Sequence, residues 1–114
     1  MRTHESSLKG ITGLTATADA LLIASAELGV LCVDLPSFTP RWQRKINGAP
    51  GTPEVQGDSV YVSESLGALL VLALADGAEL GRIQTAHGVT SPAVFAGRRG
   101  FVLSNAARLY AFTF

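Results

Sequence analysis

The chain has 114 residues, 47% of them hydrophobic and 16% charged, against about 25% charged for an average globular domain. That balance excludes a disordered chain, and the length by itself points to one domain. Nine Lys and Arg offset nine Asp and Glu, so the formal net charge is zero and there is no global electrostatic footprint for nucleic acid or an anionic membrane.

In chain order, Met1 to Gly10 reads MRTHESSLKG. It lacks the apolar run of a secretory signal, so export is not expected from these residues. Gly13-Leu14-Thr15 opens a first unit, and Leu21 to Val33, LLIASAELGVLCV, supplies two apolar runs separated by a turn. Asp34 and Trp42 follow. The next unit is the clearest. A short apolar segment surrounds Val55, Gly57-Asp58 marks a turn, and Ser59 to Ser63 is rich in β-formers. A second turn contains Gly67, Ala68 to Leu74 is apolar, Asp76-Gly77 is a strong hairpin signal, and Ala78 to Thr85 can form a last strand. The longest apolar stretch, Leu66 to Ala75, has about half the ~20 residues a spanning helix needs. Leu and Ala favour helix there, but the flanking glycines and the β-rich Val60-Tyr61-Val62 alongside favour a buried strand. Turn signals every 8–12 residues mark an all-β fold.

These segments repeat. With Ser25 placed over Ser63, Leu22 meets Val60, Ile23 meets Tyr61, Leu31 meets Leu69 and Gly29 meets Gly67, an offset of 38. Thr52-Pro53-Glu54-Val55 matches Ser91-Pro92-Ala93-Val94 at 39, and Leu69-Leu70-Val71-Leu72 matches Leu109-Tyr110-Ala111-Phe112 at 40. A period near 40 with four short strands per unit is the pattern of a β-propeller blade. The expectation is an all-β partial propeller of about three four-stranded antiparallel blades. Residues 1–11 form a detached fourth strand, 12–50 and 51–89 are blades, and 90–114 is an incomplete blade that the N-terminal strand completes. Propellers have four to eight blades, and four already need about 160 residues. The outer blades should therefore expose apolar faces. Either a second copy or a longer chain supplies the missing blades, the longer chain being favoured; a compact three-sheet domain is the other alternative.

The middle unit resembles the PQQ-type propeller repeat of quinoprotein dehydrogenases and of many non-catalytic propellers. The resemblance rests on Thr52-Pro53-Glu54-Val55, Gly57-Asp58-Ser59-Val60-Tyr61-Val62, Gly67-Ala68-Leu69-Leu70-Val71-Leu72 and Asp76-Gly77, with Leu109-Tyr110-Ala111-Phe112 a closer match to the family's third strand. It covers residues 11 to 114 and is nearest the non-catalytic branch similar to the outer-membrane-assembly lipoprotein, whose relatives are often periplasmic or in the cell envelope. WD-repeat propellers fit less well, because Trp-Asp and Gly-His dipeptides are missing. The resemblance implies that Asp34 and Trp42 tie one blade to the next. Ala73 and Gly81 stand where the middle unit should carry the same pair, so its docking should be weak; Ser37-Phe38 replaces the family's Thr-Gly.

Candidate chemistry is sparse. His4 and His87 are isolated, with no partner at ligand spacing, so no metal is expected. The lone cysteine, Cys32, lies in an apolar run and reads as a small buried hydrophobe; it cannot form an internal disulfide. Asp19, Asp58 and Asp76 sit at turns, where Asp bonds its own backbone. Arg98-Arg99 between Gly97 and Gly100 reads as a solvated hairpin tip, or else an anion or partner contact. Neither a nucleophile elbow nor a phosphate loop is present. No catalytic, cofactor or metal residue is expected. The function that follows is a non-catalytic binding or scaffold module with a protein partner, part of a larger repeat protein. The alternative is a piece of a quinoprotein dehydrogenase whose active site lies outside the chain.

Overall fold

A computed structural model describes Thr3, Leu8 and residues 10–85 and 87–113. All the regular structure among them is β. Eleven strands run in chain order: β1 (Ile11–Ala16), β2 (Ala20–Ser25), β3 (Gly29–Asp34), β4 (Thr39–Arg44), β5 (Glu54–Gln56), β6 (Ser59–Ser63), β7 (Ala68–Ala73), β8 (Glu79–Gln84), β9 (Val94–Ala96), β10 (Arg99–Leu103) and β11 (Leu109–Thr113). They form three antiparallel meanders, two of four strands (β1 to β4 and β5 to β8) and one of three (β9 to β11). This matches part of a propeller. The expected pairing of residues 1–11 as a fourth strand of the third sheet falls for the most part outside the described residues, seven of the eleven being undescribed. Ile11 itself belongs to β1, where it pairs with Ser25.

Sequence explains the strands. The two central strands of the first two sheets are dense in Val, Ile and Leu, because neighbouring sheets cover both faces of the second and one face of the first. Edge strands β1, β4 and β8 alternate between half-buried and exposed positions. Pro40, which cannot donate to a ladder, sits on edge strand β4. The Leu66–Ala75 run is shorter as a strand than its apolar character predicts. Leu66 stands at a hairpin tip, 78% exposed, and Ala75 is also exposed.

The sheets stack face to face. Ala20, Leu22, Val30 and Cys32 of the first sheet pack on Val60, Val62, Leu70 and Leu72 of the second. The other face of the second, Tyr61 and Leu69, packs with Val102, Tyr110, Phe112 and Phe95 of the third. This arrangement corrects the repeat register. Ser25, Glu64 and Ser104 are the equivalent hairpin residues: each backs onto an equivalent bond, Ala26 N–H to Gly10 O, Ser65 N–H to Ala49 O and Asn105 N–H to Gly88 O. The β-bulges at Cys32/Val33 and Val71/Leu72 agree. The first two units are thus offset by 39, not 38. A slip of one residue exchanges the faces of a strand. Leu22, not Ile23, is therefore the counterpart of Tyr61. With that register, every sheet offers the same face to the sheet that follows it.

Candidate functional site

The residues that carry polar interactions are concentrated where one sheet meets the next. Trp42 on β4 reaches across to the second sheet, its indole N–H donating to Leu74 O at 2.8 Å. Its ring lies on Gly77, where an added Cβ would be 2.7 Å from ring carbons Cδ2 and Cε3. Gly77 also takes a left-handed φ of +75°, so the Asp-Gly turn satisfies both backbone and packing. Arg44 extends the seam, bonding Gly77 O and pairing with Glu79 at 3.1 Å. At the inner end, the Thr12 and Thr15 hydroxyls donate to Pro50 O and Pro53 O.

Asp34 acts differently from its neighbour. Its carboxylate accepts from Arg41 Nε at 2.5 Å within the same sheet, and Arg41 then reaches Leu74 O and Asp19 O. That hydrogen bond holds the Arg41 guanidinium more firmly charged. Trp42 therefore crosses directly and Asp34 only through Arg41. In the second sheet the Trp42 position is Gly81, with open space where a side chain would stand. A ring cluster takes over the contact to the third sheet. Tyr61 stands edge-on to Phe95 at 4.8 Å and stacks on Phe112 at 5.7 Å. Gly100 is required here, because a Cβ would overlap the Phe112 ring. Ser63 Oγ donates to Ser91 O, and Asn105 Nδ2 donates to Ser65 O.

Glu64 is a functional-looking group that sequence reasoning did not single out. It is 2% exposed, and its carboxylate accepts the N–H groups of Asn47 and Ala68 at 2.9 and 3.0 Å. It does in the second hairpin what Ser25 and Ser104 do in the others, accepting from Leu28 N–H and Arg108 N–H. Its role is structural.

The residues selected from sequence do not converge. Cys32 is fully buried, and desolvation raises its thiol pKa, which disfavours the reactive thiolate. His87 sits in a turn with φ of +68°; His4 lies outside the described residues. Asp76 caps its own turn by accepting from Ala78 N–H, and Asp19 accepts from Thr17. Arg99 begins β10 rather than standing at a hairpin tip. Among the described residues, no three His, Cys, Asp or Glu gather as metal ligands, and no helix is long and apolar enough to cross a membrane.

Two apolar faces remain at the ends of the stack. On the first sheet, Leu14, Leu21, Leu31, Phe38 and Pro40 line part of a groove of about 530 Å³. On the third, Val94, Phe101, Leu103 and Leu109 line part of a smaller one of about 200 Å³. These faces are the candidate interaction site.

The fold has solved counterparts. The chain superposes on the computationally designed Ika4 protein with a TM-score of 0.82 and 12% identity, over 98% of this chain and 71% of that one. It matches the computationally designed Ika8 protein at 0.78 and 12%, over 90% of this chain and 33% of that one. BamB from Moraxella catarrhalis matches at 0.76 and 19%, over 92% of this chain and 34% of BamB. The chain thus spans about a third of the last two. At these identities the likeness is one of fold, and the fold is propeller-like. No sequence family and no curated protein matches the chain.

Proposed function

We propose that the chain is a non-catalytic propeller-type binding or scaffold module of the PQQ-like repeat kind, akin to the branch that includes the outer-membrane-assembly lipoprotein. Sheets from outside these 114 residues complete its stack. The observation that carries this reading is the division of labour in the structure. Polar side chains such as Trp42, Glu64, Ser63 and Asn105 are engaged in holding turns and sheets together. Two broad apolar sheet faces stay exposed at opposite ends of the stack. Contiguous exposed apolar surface of that kind marks an interaction site. The loops between strands are free to vary around this framework and supply partner contacts.

The test is retention of a partner by the immobilised full chain at micromolar concentration, from an extract of the source cells, with the partner then purified and its affinity measured. Retention of a defined partner with saturable binding is expected, and failure to hold any protein counts against the reading. In parallel, the chain mixed with pyrroloquinoline quinone and calcium should turn over no alcohol or sugar substrate. Turnover would replace the scaffold reading with an enzymatic one.

A further inference from the structure

The stack holds one docking rule, used twice, and leaves its two halves exposed. Val30 and Leu69 are equivalent residues on the face that each sheet offers to the next, and both are 0% exposed. Their counterpart on the third sheet, Leu109, is 70% exposed, and Val94 and Leu103 beside it are 59% and 49% exposed. The opposite face follows the same logic. Pro53, just before β5, is fully buried and accepts through its carbonyl from Thr15 of the first sheet, whereas its counterpart Leu14 on the first sheet is 59% exposed. The two end faces are therefore the two sides of the interface that joins consecutive sheets. The third sheet presents Leu109 with most of its side chain in solvent, and the first presents the larger of the two grooves. Every described residue lining that groove is apolar; on the third-sheet face Arg99, two residues from Phe101 on β10, stands beside the apolar patch, where its charge has to stay at the rim of the contact.

We propose that a second copy of this chain docks head to tail. The third-sheet face of each copy lies in the first-sheet groove of the other, and two such contacts close a six-sheet ring. This deepens the scaffold reading and rests on it. A copy that offers one face always carries the complementary one, so a second copy meets both requirements at once. A head-to-tail interface must either close or propagate, and six sheets fall within the four to eight of known propellers.

The experiment is light scattering coupled to size exclusion on the full chain across micromolar concentrations, with two variants, Leu14→Glu and Leu109→Glu. Both residues are exposed, so both variants should fold, which Trp42 fluorescence and circular dichroism check. The unmodified chain should run at twice the chain mass. Each variant alone should be a monomer, its dissociation constant raised at least about tenfold by a charge placed in an apolar contact. Mixed in equal amounts, the two variants should recover a dimer, because one of the two contacts then joins unmodified faces. A monomeric unmodified chain with cooperative unfolding overturns the proposal even if a different protein is retained in the capture experiment. A folded Leu14→Glu dimer overturns it too, since that contact would be face to identical face. Growth beyond two copies with concentration overturns ring closure.

Discussion

Substituting Gly77 with Ala tests whether the first two sheets meet as described. Two costs act together. Gly77 has φ of +75°, and the left-handed conformation costs an L-residue about 1–2 kcal/mol. The new Cβ would also lie 2.7 Å from the Trp42 ring, and overpacking of that kind costs about 1–3 kcal/mol. Gly77→Ala should therefore destabilise the chain by about 2–5 kcal/mol. In a Trp42→Ala background the ring is gone and only the backbone part, about 1–2 kcal/mol, should remain. Urea unfolding followed by far-ultraviolet circular dichroism measures all four corners of the cycle without relying on tryptophan emission. The expected coupling is about 1–3 kcal/mol. Additivity within about 0.5 kcal/mol would refute the contact, because residues 35 positions apart would then be energetically independent.

Glu64→Ala should leave the Asn47 and Ala68 N–H groups without their acceptor, at about 1–3 kcal/mol each. Glu64→Gln, which keeps one acceptor, should cost less; equal losses in denaturant midpoint would contradict the assignment. Cys32, buried and with a raised thiol pKa, should label with a maleimide only as the fold opens, and stoichiometric labelling within seconds in native buffer would exclude that burial. The same shift fixes a sign. A folded pKa above the ordinary 9.0 gives stability that is complete below that value and lost as pH rises through the folded pKa. Cys32→Val should remove that part of any alkaline decline in the unfolding midpoint. Gly100→Ala should disturb the Phe112 ring and with it the stack on Tyr61, read as a loss of near-ultraviolet dichroism and a fall in melting temperature.

Much of the architecture is legible in the residues. Gly57-Asp58 and Asp76-Gly77 mark turns, and the apolar runs between them are strands β6 and β7. Trp42 announces itself by size and by its distance from Asp34. The register of the repeat is not legible, and the reason is chemical. Ser25 resembles Ser63 and Gly29 resembles Gly67, so identity favours an offset of 38. What the hairpin requires is a hydrogen-bond acceptor for the backbone N–H of its return strand. Ser25 supplies a hydroxyl and Glu64 a carboxylate, so equivalent positions carry unlike letters. Phe38 hides its equivalence to Gly77 in the same way, adopting a left-handed φ of +58° that its side chain does not suggest. The end faces could be anticipated from the count of units, but which residues line them depends on the corrected register.

That register is tested most directly by nuclear Overhauser contacts in methyl-labelled protein. Contacts are expected from Leu22 to the Val60 and Val62 methyls, and from the single indole N–H of Trp42 to Leu74 and Gly77. Contacts from Ile23 to Val60 and Val62 in their place, or an indole N–H without cross-peaks to the second sheet, would contradict it.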